Sequence, residues 1–336
     1  MEITGLPLAY PKFPYTKLRG WKFPASVDGA DVDRVRLLEE CSRKYGRLSE
    51  RMRMAAKSHD ATRQMAVARE WEKSWAARVW AGVEVNARLS PQNRLTLQTA
   101  MGLTEELYLN RRPNEIVIAR QKPKANGGFR TYCEFGFQHR VLHQLMRTLY
   151  LPFLVPKPFQ YEFRRKGKFA GISLAIKEIR DAILGGYVWF AHLDIDAYFP
   201  SFKEQEQHLI VPGLRRVTLH NTGGHLNIVP KGPKLSLSTI SSDAHRGAPQ
   251  GSALSALLAA IVISRLEWKC ECLLFNWADN FLILGQSKIA VEMATKALKA
   301  QVAGLPGGDF SLSAIETGRA RDGFVFLGHS IRYAHG

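Results

Sequence analysis

Two ten-residue stretches hold the residues best suited to chemistry. Phe275-Asn276-Trp277-Ala278-Asp279-Asn280-Phe281-Leu282-Ile283-Leu284 sets one carboxylate between two apolar runs. Earlier in the chain, Phe190-Ala191-His192-Leu193-Asp194-Ile195-Asp196-Ala197-Tyr198-Phe199 does something similar. Each reads as a buried strand that delivers an acidic group to its end or turn. Two such strands side by side would bring two carboxylates to one point, as metal-assisted phosphoryl transfer requires.

Composition sets the frame for that chemistry. With 336 residues and 46% hydrophobic content, the chain can build one large lobed domain or two smaller ones around a sizeable core. Lys and Arg total 47 against 30 Asp and Glu, a net charge of +17 that is the usual footprint of a phosphate-backbone binder. Cys41, Cys133, Cys270 and Cys272 form no C-x-x-C pair, and no His cluster stands at zinc spacing, so buried free thiols in a reducing, cytoplasmic setting are expected. The start lacks the pattern of a signal peptide, and no apolar run approaches the ~20 residues that span a bilayer, so no membrane partner is expected.

The elements that must position the two stretches follow from periodicity and punctuation. An aromatic- and proline-rich strap occupies residues 1–30. Helical spacing then begins at Asp31 and resumes over Asp60 to Leu89, where Val67, Trp71 and Trp75 form a stripe that reads as core. From Ile116 the texture turns to short strands. Lys122 to Arg130 forms a basic hairpin around an Asn-Gly turn. Gln138–Leu151, Gly171–Leu184 and Ala253–Leu266 read as helices, while the region from Lys203 to Arg246 looks least helical.

In order along the chain, these segments resemble the reverse transcriptases of bacterial retroelements: group II intron enzymes, retrons and their small defence-associated or abortive-infection relatives. The resemblance covers about Arg112 to Arg332. It rests on Gly127-Gly128-Phe129-Arg130, Asp194 with Tyr198-Phe199, Gly247-Ala248-Pro249-Gln250-Gly251-Ser252 and Trp277-Ala278-Asp279-Asn280. It implies an α+β right-hand polymerase with fingers over 96–187 and an antiparallel palm over 188–336. A helical extension over 1–95 would precede them, and no thumb would follow in this chain.

The resemblance also implies roles. Asp194 and Asp279 would be the catalytic carboxylates, holding two Mg2+ ions (or Mn2+) with the Ile195 carbonyl and Asn280. Lys122, Lys124 and Arg130 would meet the triphosphate, Tyr198 would lie under the sugar, and Gln250 would contact the nascent pair. Arg164, Arg165, Gly251, Ser252 and Trp277 would contact template and primer, with Phe326-Leu327-Gly328 as a primer-gripping hairpin. Asp196 is expected to face away from the metals.

Three departures stand out. Trp277 replaces a tyrosine and Asn280 an aspartate, and an amide brings no charge to a hard cation. Glu316-Thr317 stands where the resembled enzymes often have a Lys-Thr, so a lysine that would protonate the pyrophosphate leaving group is missing, and Tyr161-Glu162-Phe163-Arg164 falls at their Tyr-Gly-Phe-Arg segment. The implied partners are an RNA template (a dedicated non-coding RNA), DNA product and dNTPs, with a second copy or another protein in place of the thumb. The implied role is antiviral defence. A template-independent or protein-primed DNA polymerase, a catalytically silent RNA-binding scaffold and an RNA-dependent RNA polymerase remain open alternatives.

Overall fold

In the computed structural model, residues 30–105, 107, 113–123, 128–211, 214 and 226–332 are described. The expected strap at the start and the Asn-Gly turn with Lys124 lie outside them. The helical periodicity after Asp31 becomes α1 (Ala30–Lys57), α2 (Ala61–Lys73) and α3 (Trp75–Arg88), with a short α4 (Leu97–Glu105). The stretch from Asp60 to Leu89, expected as one helix, is two. Ser74 breaks it: its backbone N–H closes α2 on Trp71 O, while its hydroxyl accepts the Ala77 N–H at 3.2 Å and caps α3. Val67 and Trp71 are buried and Trp75 packs against the same core, so the tryptophan stripe is structural.

The basic hairpin forms as β1 (Val117–Pro123) and β2 (Phe129–Glu134), which run antiparallel into α5 (Phe137–Tyr150). A small hairpin, β3 (Arg165–Lys166) with β4 (Phe169–Ala170), leads to α6 (Ile172–Leu184) and then β5 (Trp189–Ile195). The segment at 226–246, which the sequence assigns to the C-terminal half, instead returns to the first sheet. Its strand β6 (Ile228–Pro230) pairs in parallel with β1, and its helix α7 (Leu237–Ala244) places Asp243 on Thr131 Oγ1 at 3.1 Å.

After α8 (Ala253–Ile263) come β7 (Leu273–Trp277), β8 (Asn280–Gly285), α9 (Lys288–Ala303), β9 (Leu312–Arg319) and the hairpin β10 (Phe324–Phe326)–β11 (His329–Ile331). Strands β7-β8-β5-β9 make one antiparallel sheet in that order. One face buries Ala191, Leu193, Ile195, Phe281 and Ile283 in the main core, which extends from Leu38 on α1 to Leu312 on β9. The other buries Phe190, Phe275, Leu282 and Leu284 with Leu174, Ile179 and Ile183 of α6 and with Phe324 and Phe326. A sheet covered on both faces needs nearly continuous apolar strands, and both stretches show this.

The N-terminal helices are joined to this body by a buried polar network as well as by apolar contact. Gln144 on α5 donates to Glu84 on α3 at 2.7 Å, and Tyr45 on α1 shares a hydrogen bond with Thr148 at 2.6 Å. Burial pushes the Glu84 carboxyl up. On α5, His143 lies within 3.3 Å of the Ser252 hydroxyl. Burial, followed by the nearby His139 and Arg140, holds its pKa down to about 3.

His143 therefore stays neutral in the fold, whereas the unfolded chain takes up a proton below about 6.5. Its contribution to stability is present above that value and is lost as pH falls from 6.5 toward 3. Thermal unfolding followed by circular dichroism should show His143→Asn losing melting temperature less steeply than wild type across that window.

Candidate active site

The pairing of β5 with β8 sets Asp194 directly opposite Asn280, and the Ile195 N–H donates to Asp279 O at 3.0 Å. Both carboxylate-bearing residues thus sit at one end of adjacent antiparallel strands, half-buried. Asp279 belongs to the two-residue connection between Trp277 and Asn280, in which Ala278 takes φ +52°. Asn280 ties the turn together: its amide donates to Asp279 Oδ1 at 3.1 Å, and its Oδ1 lies 3.4 Å from His192 Nε2. Burial holds the His192 pKa down, so its ring is neutral. The edge of that ring meets Phe326 at 5.3 Å between centroids. The β10–β11 hairpin is in this way packed onto the site through its turn-flanking phenylalanine. Leu327 and Gly328, both at positive φ, form its two-residue turn.

Asp196 is exposed and turned to β9 and the residues before it, where its Oδ2 accepts the hydroxyls of Ser311 and Ser313 at 2.7 Å each. Among the described residues, no three His, Cys, Asp or Glu side chains converge closely enough to hold a metal ion by themselves. The donors present are two carboxylates, one amide and the Ile195 carbonyl, all hard oxygens. Such a set suits Mg2+, which keeps waters and takes one or two carboxylates plus substrate phosphates.

The glycines of Gly247-Ala248-Pro249-Gln250-Gly251-Ser252 have a local reason. A Cβ on Gly247 (φ +60°) would stand 2.2 Å from Phe199 O, and one on Gly251 (φ +104°) would stand 2.3 Å from Cys133 O. The Ala248 N–H donates to Phe199 O at 2.9 Å, and Gln250 O accepts the Cys133 N–H at 2.7 Å. The close approach that requires glycine at 251 is therefore to strand β2. Ser252 is buried, and its hydroxyl caps α8 by accepting the Leu254 and Ser255 N–H groups. Beside Gly251 a cavity of about 420 Å³ opens, lined by Arg88, Tyr132, Arg140 and Gln144 among others, so a side chain of the N-terminal helices reaches the same place.

Lys122 and Arg130 are Cα partners across the basic hairpin, both exposed, with the lysine ammonium 4.1 Å from the Tyr132 ring centroid. Two other expected contacts are placed differently. The Tyr198 ring is 2% exposed and its hydroxyl donates to Ala259 O at 2.8 Å, so it is not brought to the open side of the carboxylates. Arg164 is engaged bidentately by Glu178 at 2.9 and 3.2 Å and stacks on Tyr161, whereas Arg165 is exposed on β3. The Trp277 ring lies beside Gly171, at the start of α6.

Sequence reasoning missed Glu162 as a member of the site. Its Oε2 accepts the Ala278 N–H at 3.3 Å, and burial, reinforced by the Asp279 charge, pushes its carboxyl up to about 7. The signal was there in the replacement of a glycine by an acid in Tyr161-Glu162-Phe163-Arg164.

No family model matches the chain, and no curated protein matches it by sequence. Among solved structures, it is similar to a telomerase from Candida albicans in complex with a TWJ fragment of telomeric RNA. That match has 12% identity and a TM-score of 0.37, and covers 67% of this chain and 45% of that one. It is also similar to a partial Cas6-RT-Cas1–Cas2 complex, at 17% identity and a TM-score of 0.32, over 68% of this chain and 42% of that one. The full Cas6-RT-Cas1–Cas2 complex gives the same identity and TM-score, with 26% of that chain covered. The chain spans less than half the length of each, and likeness at this level leaves function to be read from the site.

Replacing Gly251 by alanine should cost about 2–4 kcal/mol, because the added carbon meets a backbone carbonyl and the residue keeps a positive φ. Chemical denaturation of Gly251→Ala against wild type measures it.

Proposed function

We propose that this chain is a reverse transcriptase, adding deoxynucleotides to a 3′ hydroxyl on an RNA template. The observation that carries the reading is the Asp194–Asn280 pairing. It brings Asp194 and the Asp279 turn to one sheet end, beside the Gly247–Ser252 loop that is stitched to both β2 and the segment after β5. Mg2+, or Mn2+ in its place, would supply Lewis-acid activation and charge neutralisation when bound between Asp194, Asp279, the Asn280 amide oxygen and the Ile195 carbonyl.

The chain's own groups do the rest. Asp194 and Asp279 hold negative charge at fixed positions, because backbone hydrogen bonds and a two-residue turn leave them little freedom. Asn280 and neutral His192 orient Asp279. Lys122 and Arg130 face outward from directly opposed positions on one hairpin face. Like charges so placed repel in the free protein, and a bound triphosphate offsets that repulsion. Gln250, Gly251, Trp277 and the exposed Arg165 stand around the path proposed for template and primer, and Phe326 buttresses the site through His192. A dedicated non-coding RNA as template and a role in antiviral defence follow from the sequence resemblance.

Primer extension on an RNA template with labelled dNTPs tests the reading. Asp194→Ala and Asp279→Ala should each abolish product while keeping the wild-type melting profile. Extension that survives either substitution would refute it. Arg130→Ala and Lys122→Ala should raise the KM for dNTP by roughly tenfold each, with smaller changes in kcat, as expected for groups that bind phosphate charge.

A further inference from the structure

The segment that leads toward α6 runs alongside the strand carrying the Asp279 turn. The Asn276 N–H donates to Phe159 O at 2.8 Å, and Gln160 forms a parallel bridge with Asn276. The same glutamine anchors the segment from behind, its side-chain amide donating to Ala260 O on α8 at 3.2 Å. Two residues further on, the Ala278 N–H is taken by the side chain of Glu162 instead of a backbone carbonyl. The carboxylate continues the ladder where the main chain has left it.

This contact falls at a demanding place. Ala278 holds φ +52°, a left-handed conformation that is unfavourable for a non-glycine residue and persists only where its surroundings impose it. Glu162 is itself fixed by its neighbours, because Tyr161 and Arg164 on either side are both bound to Glu178 of α6, at 2.5 and 2.9 Å. A carboxylate is thereby held one residue from Asp279, in a site where Asn280 contributes an uncharged amide.

We propose that Glu162 is a positioning residue of the Asp194/Asp279 site: it holds the Ala278-Asp279 turn through the Ala278 amide and places there the negative charge that Asn280 does not carry. This rests on the two-carboxylate reading given above. It also accounts for a site able to work with an amide at 280, since charge near a divalent ion matters even where the group does not ligate it directly.

The test uses the full chain at about pH 8, above the value of about 7 to which burial raises the Glu162 carboxyl, with Mn2+ as probe, its binding followed by electron paramagnetic resonance, in parallel with primer extension. Glu162→Gln keeps an acceptor for Ala278 but loses the charge, so it should weaken Mn2+ binding by about tenfold at an unchanged melting temperature. It should raise the Mg2+ concentration needed for half-maximal extension by a similar factor, with kcat largely regained at saturating Mg2+. Glu162→Ala, which also frees the turn, should keep a kcat deficit that Mg2+ does not repair. Asn280→Asp in the Glu162→Gln background should restore Mn2+ binding, a rescue that a merely structural role would not produce. Wild-type Mn2+ affinity in Glu162→Gln, or failure of that rescue, would overturn this proposal alone, provided that Asp279→Ala still loses the ion. Equal Mn2+ binding by wild type, Asp194→Ala and Asp279→Ala would overturn both this proposal and the reading of the site.

Discussion

The register between β5 and β8 is the constraint on which the rest depends. Side chains alternate across a strand, so a slip of one residue would send Asp194 into the core and bring Leu193 to the open end. The slip is prevented by burial on both faces: Ala191, Leu193 and Ile195 pack toward α8 and α9, while Phe190 packs toward α6 and stacks on Phe324. Each face rejects the other's set. The hydrogen bond from Ile195 to Asp279 then closes the pairing at the end where both carboxylates lie.

Around that pairing, backbone contact assembles the remaining parts more than side-chain contact does. Gly247 lets the loop before α8 touch the carbonyl after β5, and Gly251 lets it touch β2. The basic hairpin, the first carboxylate strand and the loop are thus three neighbours held by main-chain hydrogen bonds at 2.7–2.9 Å. Asp279 is reached from two further sides. Asn280 links it to His192 and the β10–β11 hairpin, and Glu162 links its turn to the segment before α6. A strained alanine in that turn is over-determined by its surroundings, as functional turns commonly are.

Local pattern read well where burial and local pattern agree. The hairpin at 117–134, the two carboxylate strands, the capped start of α8 and the core status of Trp71 were all visible as periodicity or turn chemistry. Pattern failed where one residue or a distant partner decided the outcome. Ser74 splits a continuous helical signal because its hydroxyl offers a cap that periodicity does not register. Strand β6 joins β1 across more than a hundred residues, a parallel crossover that three residues of sequence cannot announce. Tyr198 and Arg164 were legible as residue types, but their placement was not. One is drawn into the core with Phe202 and Phe310, and the other is captured by Glu178.

The sequence by itself determined the chemical inventory: which acids, glycines and cations exist, their order, and the apolar runs that make them strands rather than surface. Tertiary structure alone decided which of them meet. Glu162 and Ala278 stand more than a hundred residues apart, and nothing local to either predicts their hydrogen bond. It arises because the segment before α6 docks along β7 to satisfy buried backbone groups, and buried N–H and C=O groups must find partners wherever the chain can supply them.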